Sequence, residues 1–179
     1  YAMLTTQVLD RGDDVARRAV IAGNRACTLG GGVAVYVFAH VQGVHVDANC
    51  AGCCTSVATS GGATVVGGAG MAMLGANTTL TSVVISNNVL SCHAGCAVAR
   101  NATGTGTQHS GAGLLVVRDA SLWTFEVDIV RNAVTNGHGG GVGLEHGATL
   151  VGENTVVRLN TASDGCGAGI SLSSDSSAS

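Results

Sequence analysis

Seven cysteines offer the clearest chemistry in this chain of 179 residues. They are Cys27, Cys50, Cys53, Cys54, Cys92, Cys96 and Cys166. Each lies between a recurring asparagine and a glycine block, so in a stack of repeats these sites are near one another. This favours disulfides between neighbouring repeats, preferably between the groups at 50–54 and 92–96, and a secreted or surface location. Buried free thiols and a zinc site stay open as alternatives. CxxC followed by CHxxC suggests zinc, but one half has the wrong spacing. The odd count leaves one thiol unpaired, or paired outside this sequence.

A histidine between two glycines, His138, is the first candidate for acid–base catalysis. Hydrolysis of a glycosidic bond requires two carboxyl groups close together. The pair Asp13 and Asp14 lies four repeats away. Asp128 has the right phase to face outward, but no second column of acids lies beside it. Glu126, two residues earlier on the same predicted strand, forms at best a weak pair with it. We therefore predict no catalytic residues.

The eleven acidic residues are scattered, which is unlike the clustered carboxylates of a calcium site. The glycine blocks are followed by Val, Met, Leu or Ile and not by the Asp of a calcium-binding turn. We predict no metal ligands and no cofactor.

Three further motifs concern surface recognition. The adhesion tripeptide Arg11-Gly12-Asp13 falls in a predicted turn, although such turns also arise by chance. Asn77 and Asn101 are N-glycosylation acceptors if the chain is secreted. Trp123 follows a turn, where a single Trp is more often a packing residue than a ligand platform.

Recurring asparagines reveal the elements that carry these motifs. They are Asn24, Asn49, Asn88, Asn132 and Asn160. A β-branched residue stands three positions before each of them: Ile21, Val46, Ile85, Ile129 and Val157. The position five before is Ala, Val or Thr, and the one between is mixed, which is the period-2 pattern of a half-buried strand. We expect each Asn to form a corner, to adopt a left-handed conformation there and to bond the backbone of the next turn.

A second apolar strand follows each glycine block. Its columns are Val33, Met71, Leu114, Val142 and Ile170, and two residues later Val35, Met73, Val116, Leu144 and Leu172. After a turn comes a third column, Val41, Leu80, Leu122 and Leu150. Five successive units with the same offsets favour stacked parallel strands over an antiparallel sandwich.

Two units depart from this pattern. The stretch between Asn and the last Gly takes eight or nine residues in three units, but 21 from Asn49 to Gly70 and 25 from Asn88 to Gly113. We therefore predict loop insertions at 50–69 and 89–112 on one side of the stack, and a Ser-rich tail at 173–179. Loops on a rigid scaffold often carry function.

Composition excludes several functions. Charged residues make up only 11% of the chain, and the net charge is −3 with no Lys, which argues against nucleic-acid binding. Five aromatic residues leave few platforms for stacking on ligands. No apolar run is long enough for a membrane helix. The repeat runs close to both ends, and the chain begins at Tyr1, so we expect a piece of a longer solenoid with flanking coils as neighbours.

At the level of the repeat, the pattern NxA…GGGVxL…GAxL…N resembles the pectin-lyase-like β-helix of polymorphic outer membrane proteins and other adhesins. Pectin-degrading hydrolases of this fold also carry a GHG motif, beside paired aspartates that are lacking here. The stretches CTLGGGVAVYV, SVATSGGATVVGGAG and NNVLSCHAGCAVARNATGTG look like the dispersed gene family surface proteins of Trypanosoma. That resemblance implies a glycosylated β-helix involved in host attachment, and it supplies no catalytic residues.

The sequence as a whole predicts an all-β protein. We expect a right-handed single-stranded parallel β-helix of about six coils of about 28 residues, each with three short strands. The right hand follows from the resemblance and from the general crossover preference. The expected function is a non-enzymatic, cell-surface or secreted scaffold whose Cys-rich loops contact a host receptor, matrix protein or glycan. The alternative is a polysaccharide hydrolase or lyase, or its inactive relict.

Overall fold

Short parallel strands form the regular structure of this protein in a computed structural model. It describes residues 19–26, 29–52, 65–91, 108–135, 137–163, 165–173 and 175–179. The strands are, in chain order, β1 (Ala19–Ala22), β2 (Val33–Val35), β3 (Ala39–Gln42), β4 (Val44–Asp47), β5 (Cys50–Ala51), β6 (Val65–Gly67), β7 (Met71–Leu74), β8 (Thr78–Thr81), β9 (Val84–Ser86), β10 (Val89–Ser91), β11 (Gln108–Ser110), β12 (Leu114–Val117), β13 (Ser121–Phe125), β14 (Asp128–Val130), β15 (Ala133–Thr135), β16 (Val142–Glu145), β17 (Thr149–Glu153), β18 (Val156–Arg158), β19 (Thr161–Ser163), β20 (Ile170–Leu172) and β21 (Ser177–Ala178).

The strands form five parallel sheets. Sheet 1 has the order β1-β4-β9-β14-β18, sheet 2 β5-β10-β15-β19 and sheet 3 β6-β11. Sheet 4 has the order β2-β7-β12-β16-β20, and sheet 5 β3-β8-β13-β17-β21. From β1 in sheet 1 the chain passes to sheets 4 and 5. In each later passage it visits sheets 1, 2, 4 and 5 in that order, with sheet 3 added in two of the passages. The predicted all-β class with parallel pairing is confirmed.

The registers of sheets 1 and 4 are those that the apolar columns predict. Ile21 pairs with Val46, and the same column continues through Ile85, Ile129 and Val157. In sheet 4 the column runs from Val33 to Ile170. Period-2 alternation with one buried side fixes these registers, because a slip of one residue would expose every apolar side chain.

The predicted register of sheet 5 is wrong in one place. Val41 pairs with Leu80, and Leu122 pairs with Leu150, but Leu80 lies opposite Thr124. Leu122 is instead opposite Thr78. A shift of two residues keeps the same side chains pointing inward, so the apolar pattern does not distinguish the two registers.

The prediction of three strands per repeat is also wrong, because a fourth strand begins directly after the asparagine. These strands form sheet 2, and their inward residues Ala51, Leu90 and Val134 are buried. They build a small core with Ala69 and Ala112. This column stands two residues after each Asn, inside the stretch that the sequence pattern assigned to corners and insertions.

Two predicted irregular segments contain further strands. The predicted insertions at 50–69 and 89–112 include the strands β5, β6, β10 and β11. Between these strands, no strand is described for residues 52–64 and 92–107. In the predicted tail at 173–179, β21 pairs with β17. Hydrogen bonds from the backbone nitrogens of Ser173, Ser177 and Ser179 tie the same segment to the preceding repeat.

Aliphatic side chains fill the interior enclosed by sheets 1, 4 and 5. The largest fully buried members of this core are Met71, Met73, Leu80, Ile85, Leu114, Leu122, Ile129 and Leu144. Each contributes about 1.5–3 kcal/mol relative to an exposed position. Residues of one repeat pack on those of the next, so each repeat provides the apolar surface that its neighbour buries.

The corner asparagines form a continuous ladder. The backbone nitrogen and Nδ2 of each of the first four donate to Oδ1 of the next, at 2.8–3.1 Å. In addition, Nδ2 of Asn49, Asn88, Asn132 and Asn160 donates to a backbone oxygen one repeat back. Bonds between turns are therefore present along the stack, but these side chains bond the backbone of the preceding repeat, whereas the sequence predicts bonds to the backbone of the next turn.

The expected left-handed conformation lies one residue earlier than predicted. Positive φ angles occur at Gly23, Ala48, Asn87, Arg131 and Leu159, the residues that precede the ladder. The bend is thus made before each Asn, which leaves the Asn side chain free to point inward and bond its neighbours.

The glycine column contacts this ladder across the interior. A Cβ at Gly113 would lie 2.8 Å from Asn132 Nδ2 and 2.6 Å from the backbone oxygen of Gly141. The same overlap with a ladder Nδ2 occurs at Gly32, Gly70 and Gly141. Lack of space, not backbone conformation, therefore requires glycine here, and it explains why the Asn and Gly motifs recur together.

Candidate functional site

The strands that precede and follow the two insertions lie side by side. Their entry strands β5 and β10 pair in parallel, with Val89 opposite Cys50. Their return strands β6 and β11 also pair, with Ser110 opposite Gly67. Segments 53–64 and 92–107 therefore leave neighbouring strands of sheet 2 and re-enter neighbouring strands of sheet 3.

Two cysteines lie within the described residues. Cys50 is disulfide-bonded. Cys166 is a free, exposed thiol, and the odd number of cysteines leaves one thiol of the chain unpaired. The partner of Cys50 therefore lies outside the described residues, as do Cys27, Cys53, Cys54, Cys92 and Cys96. The disulfide excludes Cys50 as a zinc ligand.

His138 connects two repeats. It is exposed, and its Nδ1 accepts a hydrogen bond of 2.9 Å from the backbone nitrogen of Cys166. His138 also forms an isolated parallel bridge with Ser110, next to the return strand of the second insertion. The flanking Gly139 has a positive φ of 62°.

A buried carboxyl lies close to this histidine, and the sequence analysis missed it. Glu145 ends β16 on the outer face of sheet 4, in the column of Leu74 and Val117. Burial raises the pKa of its carboxyl, and the hydroxyl of Ser110 and the imidazoles of His146 and His138 oppose this rise. Glu145 Oε2 lies 3.9 Å from His146 Nδ1.

Two buried oxygens in this group form no hydrogen bond of good geometry with another described residue. They are Glu145 Oε2 and Ser110 Oγ. Gly143 provides the space for Ser110, because a Cβ at this position would overlap Ser110 Oγ. A carboxyl with a raised pKa thus lies with the Ser110 hydroxyl and the His146 imidazole beside the second insertion, and such a carboxyl is able to hold a proton for transfer. The signal in the sequence was an acid in a column that otherwise holds Leu and Val.

The weak acid pair proposed from the sequence is not formed on one strand. Glu126 lies in the bend between β13 and β14, with a positive φ of 55°, and accepts a hydrogen bond from Ser82 Oγ. Asp128 lies in β14 between Val84 and Val156 of the neighbouring strands. The bend after β13 thus places Glu126 outside the strand that holds Asp128, which the strand pattern did not reveal.

A different polar group lies on the outside of sheet 1. Asp47 Oδ1 accepts hydrogen bonds from Ser86 Oγ at 2.6 Å and Asn87 Nδ2 at 2.8 Å. His45 Nε2 lies 2.7 Å from Ser86 Oγ and 3.8 Å from Asp47 Oδ1. The hydrogen bond from Ser86 is the largest cause of a lowered pKa of the Asp47 carboxyl. A nucleophilic serine must donate its hydroxyl proton to a histidine base, but Ser86 donates to Asp47. This arrangement is therefore not that of a catalytic triad.

The outer face of sheet 5 carries exposed aromatic rings. Trp123 is 45% exposed and Phe125, two residues along the same strand, is 37% exposed. A packing role is expected more often than a ligand role for a single Trp, and Trp123 is about half-buried on this outer face. The pattern of alternation gave the direction of this side chain, since the neighbours Leu122 and Thr124 are buried.

The remaining motifs divide between described and undescribed parts. Asn77 is exposed in the turn before β8. The tripeptide Arg11-Gly12-Asp13 and Asn101 lie outside the described residues. Among the residues that the structure does describe, no group of three or more His, Cys, Asp or Glu could hold a metal ion, and no helix is long and apolar enough to cross a membrane.

Comparison of the chain with protein-family models, with curated proteins and with solved structures finds no match.

Proposed function

We propose that this chain is a segment of a right-handed parallel β-helix that acts as a non-enzymatic scaffold at the cell surface or in the secreted state. In this proposal the stacked sheets form a stiff rod with further coils of the parent chain as neighbours. The two insertions contact a host receptor, a matrix protein or a glycan. Membership of the trypanosomal dispersed gene family is the proposed origin.

The pairing of the strands that flank the two insertions is the observation that carries the proposal. A binding surface made of two loops requires that both loops start from fixed and adjacent positions. The pairs β5–β10 and β6–β11 supply such positions at both ends of each insertion. The disulfide at Cys50 adds a covalent restraint at the entry to the first insertion and fits an oxidising location.

The cyclic order of the sheets supports the rod. The sequence visits sheets 1, 2, 4 and 5 repeatedly, and each strand pairs in parallel with its counterpart in the next passage. A parallel crossover within one sheet is right-handed in about 98% of cases, which supports the proposed hand.

The test is binding of the secreted chain to host cells, matrix proteins and a glycan array. The key variant replaces 53–64 and 92–107 by short Gly/Ser turns and keeps strands β5, β6, β10 and β11. A control variant carries Val20→Ser and Val156→Ser on the exposed face of sheet 1 and keeps both insertions. We expect binding by the control and loss of binding by the shortened chain. Equal binding by the two variants would refute the role of the insertions.

The group around Glu145 supports a second candidate, a polysaccharide hydrolase or lyase. A buried carboxyl with a raised pKa is suited to act as a general acid. In this case Glu145→Gln and His138→Ala would each abolish turnover of uronic-acid polymers measured by release of reducing ends. Turnover by the native chain that is lost in both variants would favour the enzyme over the scaffold.

A further inference from the structure

The four aromatic residues in the described part, Tyr36, Phe38, Trp123 and Phe125, are all exposed. The chain has five aromatic residues, and the cores of the described part contain none of them. Three of the five lie on the outer face of sheet 5 or at its rim: Phe38, Trp123 and Phe125. Phe38, next to β3, is 74% exposed. An exposed group of rings on a flat sheet is a surface that a ligand or a covalent group commonly covers.

The glycosylation acceptor Asn77 lies within this group. Ala39 pairs with Thr78, so the preceding residues Phe38 and Asn77 stand opposite each other on neighbouring strands. Leu122 also pairs with Thr78, which places Ser121 opposite Asn77 on the other side. The backbone oxygen of Asn77 accepts a hydrogen bond from Ala39, which fixes the position of the turn.

Simple strand geometry gives the distances. Neighbouring strands are about 4.8 Å apart, and two residues along a strand span about 6.7 Å. Asn77 is therefore one strand from Phe38, and Trp123 is one strand over and two residues along, at about 8 Å. Both rings are within reach of the first sugars of a chain attached to the Asn77 side chain.

We propose that Asn77 carries an N-linked glycan whose first sugars lie on the rings of Phe38 and Trp123 and cover the outer face of sheet 5. The inference rests on the part of the proposed function that places the chain in a secretory pathway. The attachment forms a bond from Asn77 Nδ2 to the anomeric carbon of an oligosaccharide. The bond from that carbon to a phosphate oxygen of a lipid-pyrophosphate donor breaks, the lipid pyrophosphate leaves with the electron pair, and the amide loses one proton.

The chemistry of the face matches that of a sugar. A sugar ring presents apolar C–H groups on its faces and hydroxyl groups at its rim. Around the aromatic rings the outer face of sheet 5 offers Thr79, Thr81, Ser121 and Thr149 as hydroxyl partners, and Gln42 as an amide. The sequence Asn77-Thr78-Thr79 provides the hydroxyl residue that the acceptor motif requires, and Thr78 itself points inward and is buried.

Trp123 is the only Trp of the chain, so intrinsic fluorescence reports on this face alone. The chain is secreted from a eukaryotic host as the native sequence, as Asn77→Gln and as Thr79→Ala. We expect a mass shift on treatment with a peptide N-glycosidase that shows a glycan at Asn77 in the native chain. We also expect the native chain to have roughly half the acrylamide quenching constant of either variant, because a bulky glycan would shield the ring.

The matched control is Asn101→Gln, which removes the other acceptor and keeps Asn77. It should leave the quenching of Trp123 at the native value. An unmodified Asn77 in the secreted chain would overturn the proposal. A modified Asn77 with the same quenching constant as Asn77→Gln would overturn it too. These measurements do not involve binding to host cells. The proposal for Asn77 can therefore be wrong while the insertions bind a host partner, and it can be right while they do not.

Discussion

At the scale of single residues, the asparagine ladder shows how one side chain can connect three repeats. Asn132 is fully buried, donates from Nδ2 to Ile85 and Asn160, and accepts two bonds from Asn88. The recurrence of Asn in the sequence predicts a corner, but it does not reveal the ladder bonds. Those depend on the bend one residue earlier, for which Ala48 and Leu159 give no sequence signal.

Asn132→Ala tests the ladder. Removing the side chain leaves Asn88 and the oxygens of Ile85 and Asn160 without these partners, and each buried unpaired group costs about 1–3 kcal/mol. We expect a loss of about 3 kcal/mol or more in the free energy of unfolding, measured by urea denaturation. Asn24→Ala at the exposed first position of the ladder is the control and should cost about 1 kcal/mol or less. Equal losses would contradict a ladder whose energy depends on burial.

Glu145→Gln tests the buried carboxyl through pH. A raised pKa means that the folded state holds the proton more tightly, so the native protein loses stability as pH rises from the unfolded pKa through the folded one. The variant should be more stable than the native chain at pH 7, on the order of 1 kcal/mol, with no such gain at pH 4. Thermal melts at the two pH values measure this.

The opposite sign is expected for Asp47→Asn, which serves as the matched comparison. The pKa of Asp47 is lowered, so its stabilisation is present above the unfolded pKa and is lost as pH falls through the folded one. Asp47→Asn should therefore destabilise the protein at pH 7 and have little effect in strong acid. A gain at pH 7 in both variants would show that removal of net charge, and not the local surroundings, controls the result.

At the scale of the elements, the sequence predicts which side chains of a strand point inward better than it predicts the register in which the strands pair. Sheets 1 and 4 are predicted because a β-branched or large apolar residue marks the same position in every repeat. In sheet 5, Leu80 and Leu122 both point inward from positions two residues apart, so alignment by apolar type pairs the wrong residues. Sheet 2 was missed because its inward column, Ala51, Leu90 and Val134, lies in the stretch that the sequence pattern assigned to corners and insertions.

Gly113→Ala tests the contact between the glycine column and the ladder. The added methyl group would overlap the oxygen of Gly141 and Nδ2 of Asn132. Relief requires the two repeats to move apart, so we expect a loss of about 1–3 kcal/mol in unfolding free energy. Gly169→Ala is the control in the same column, since its Cβ would meet only Val157 at 3.9 Å. That variant should be as stable as the native chain, and an equal loss in both would exclude the proposed overlap.

At the scale of the whole molecule, the described part is a regular stack, and the two long segments 53–64 and 92–107 lie outside it. The insertions leave between sheets 2 and 3, whereas the aromatic group lies on sheet 5, between sheets 4 and 1 in chain order. The place of the long segments follows from the Asn and Gly anchors, but the predicted bounds 50–69 and 89–112 are too wide, because they include strands β5, β6, β10 and β11. The alternation in β13 indicates the outward direction of Trp123, but its grouping with Phe38 follows from the stacking of separate repeats and is not visible in the sequence.

The unequal spacing of the ladder has a mechanical consequence. Successive ladder residues are separated by 25, 39, 44 and 28 residues. If the stacked repeats are pulled from the two chain ends in an optical trap and the turns unfold one at a time, each unfolding event releases about 3.5 Å of length per residue. The trace should show steps of roughly 90, 140, 150 and 100 Å, with the longer ones shortened in the oxidised protein wherever the Cys50 disulfide spans a turn. A reducing agent would cleave the disulfide and restore the full step lengths. The fully extended molecule would therefore be longer in a reducing medium than in an oxidising one.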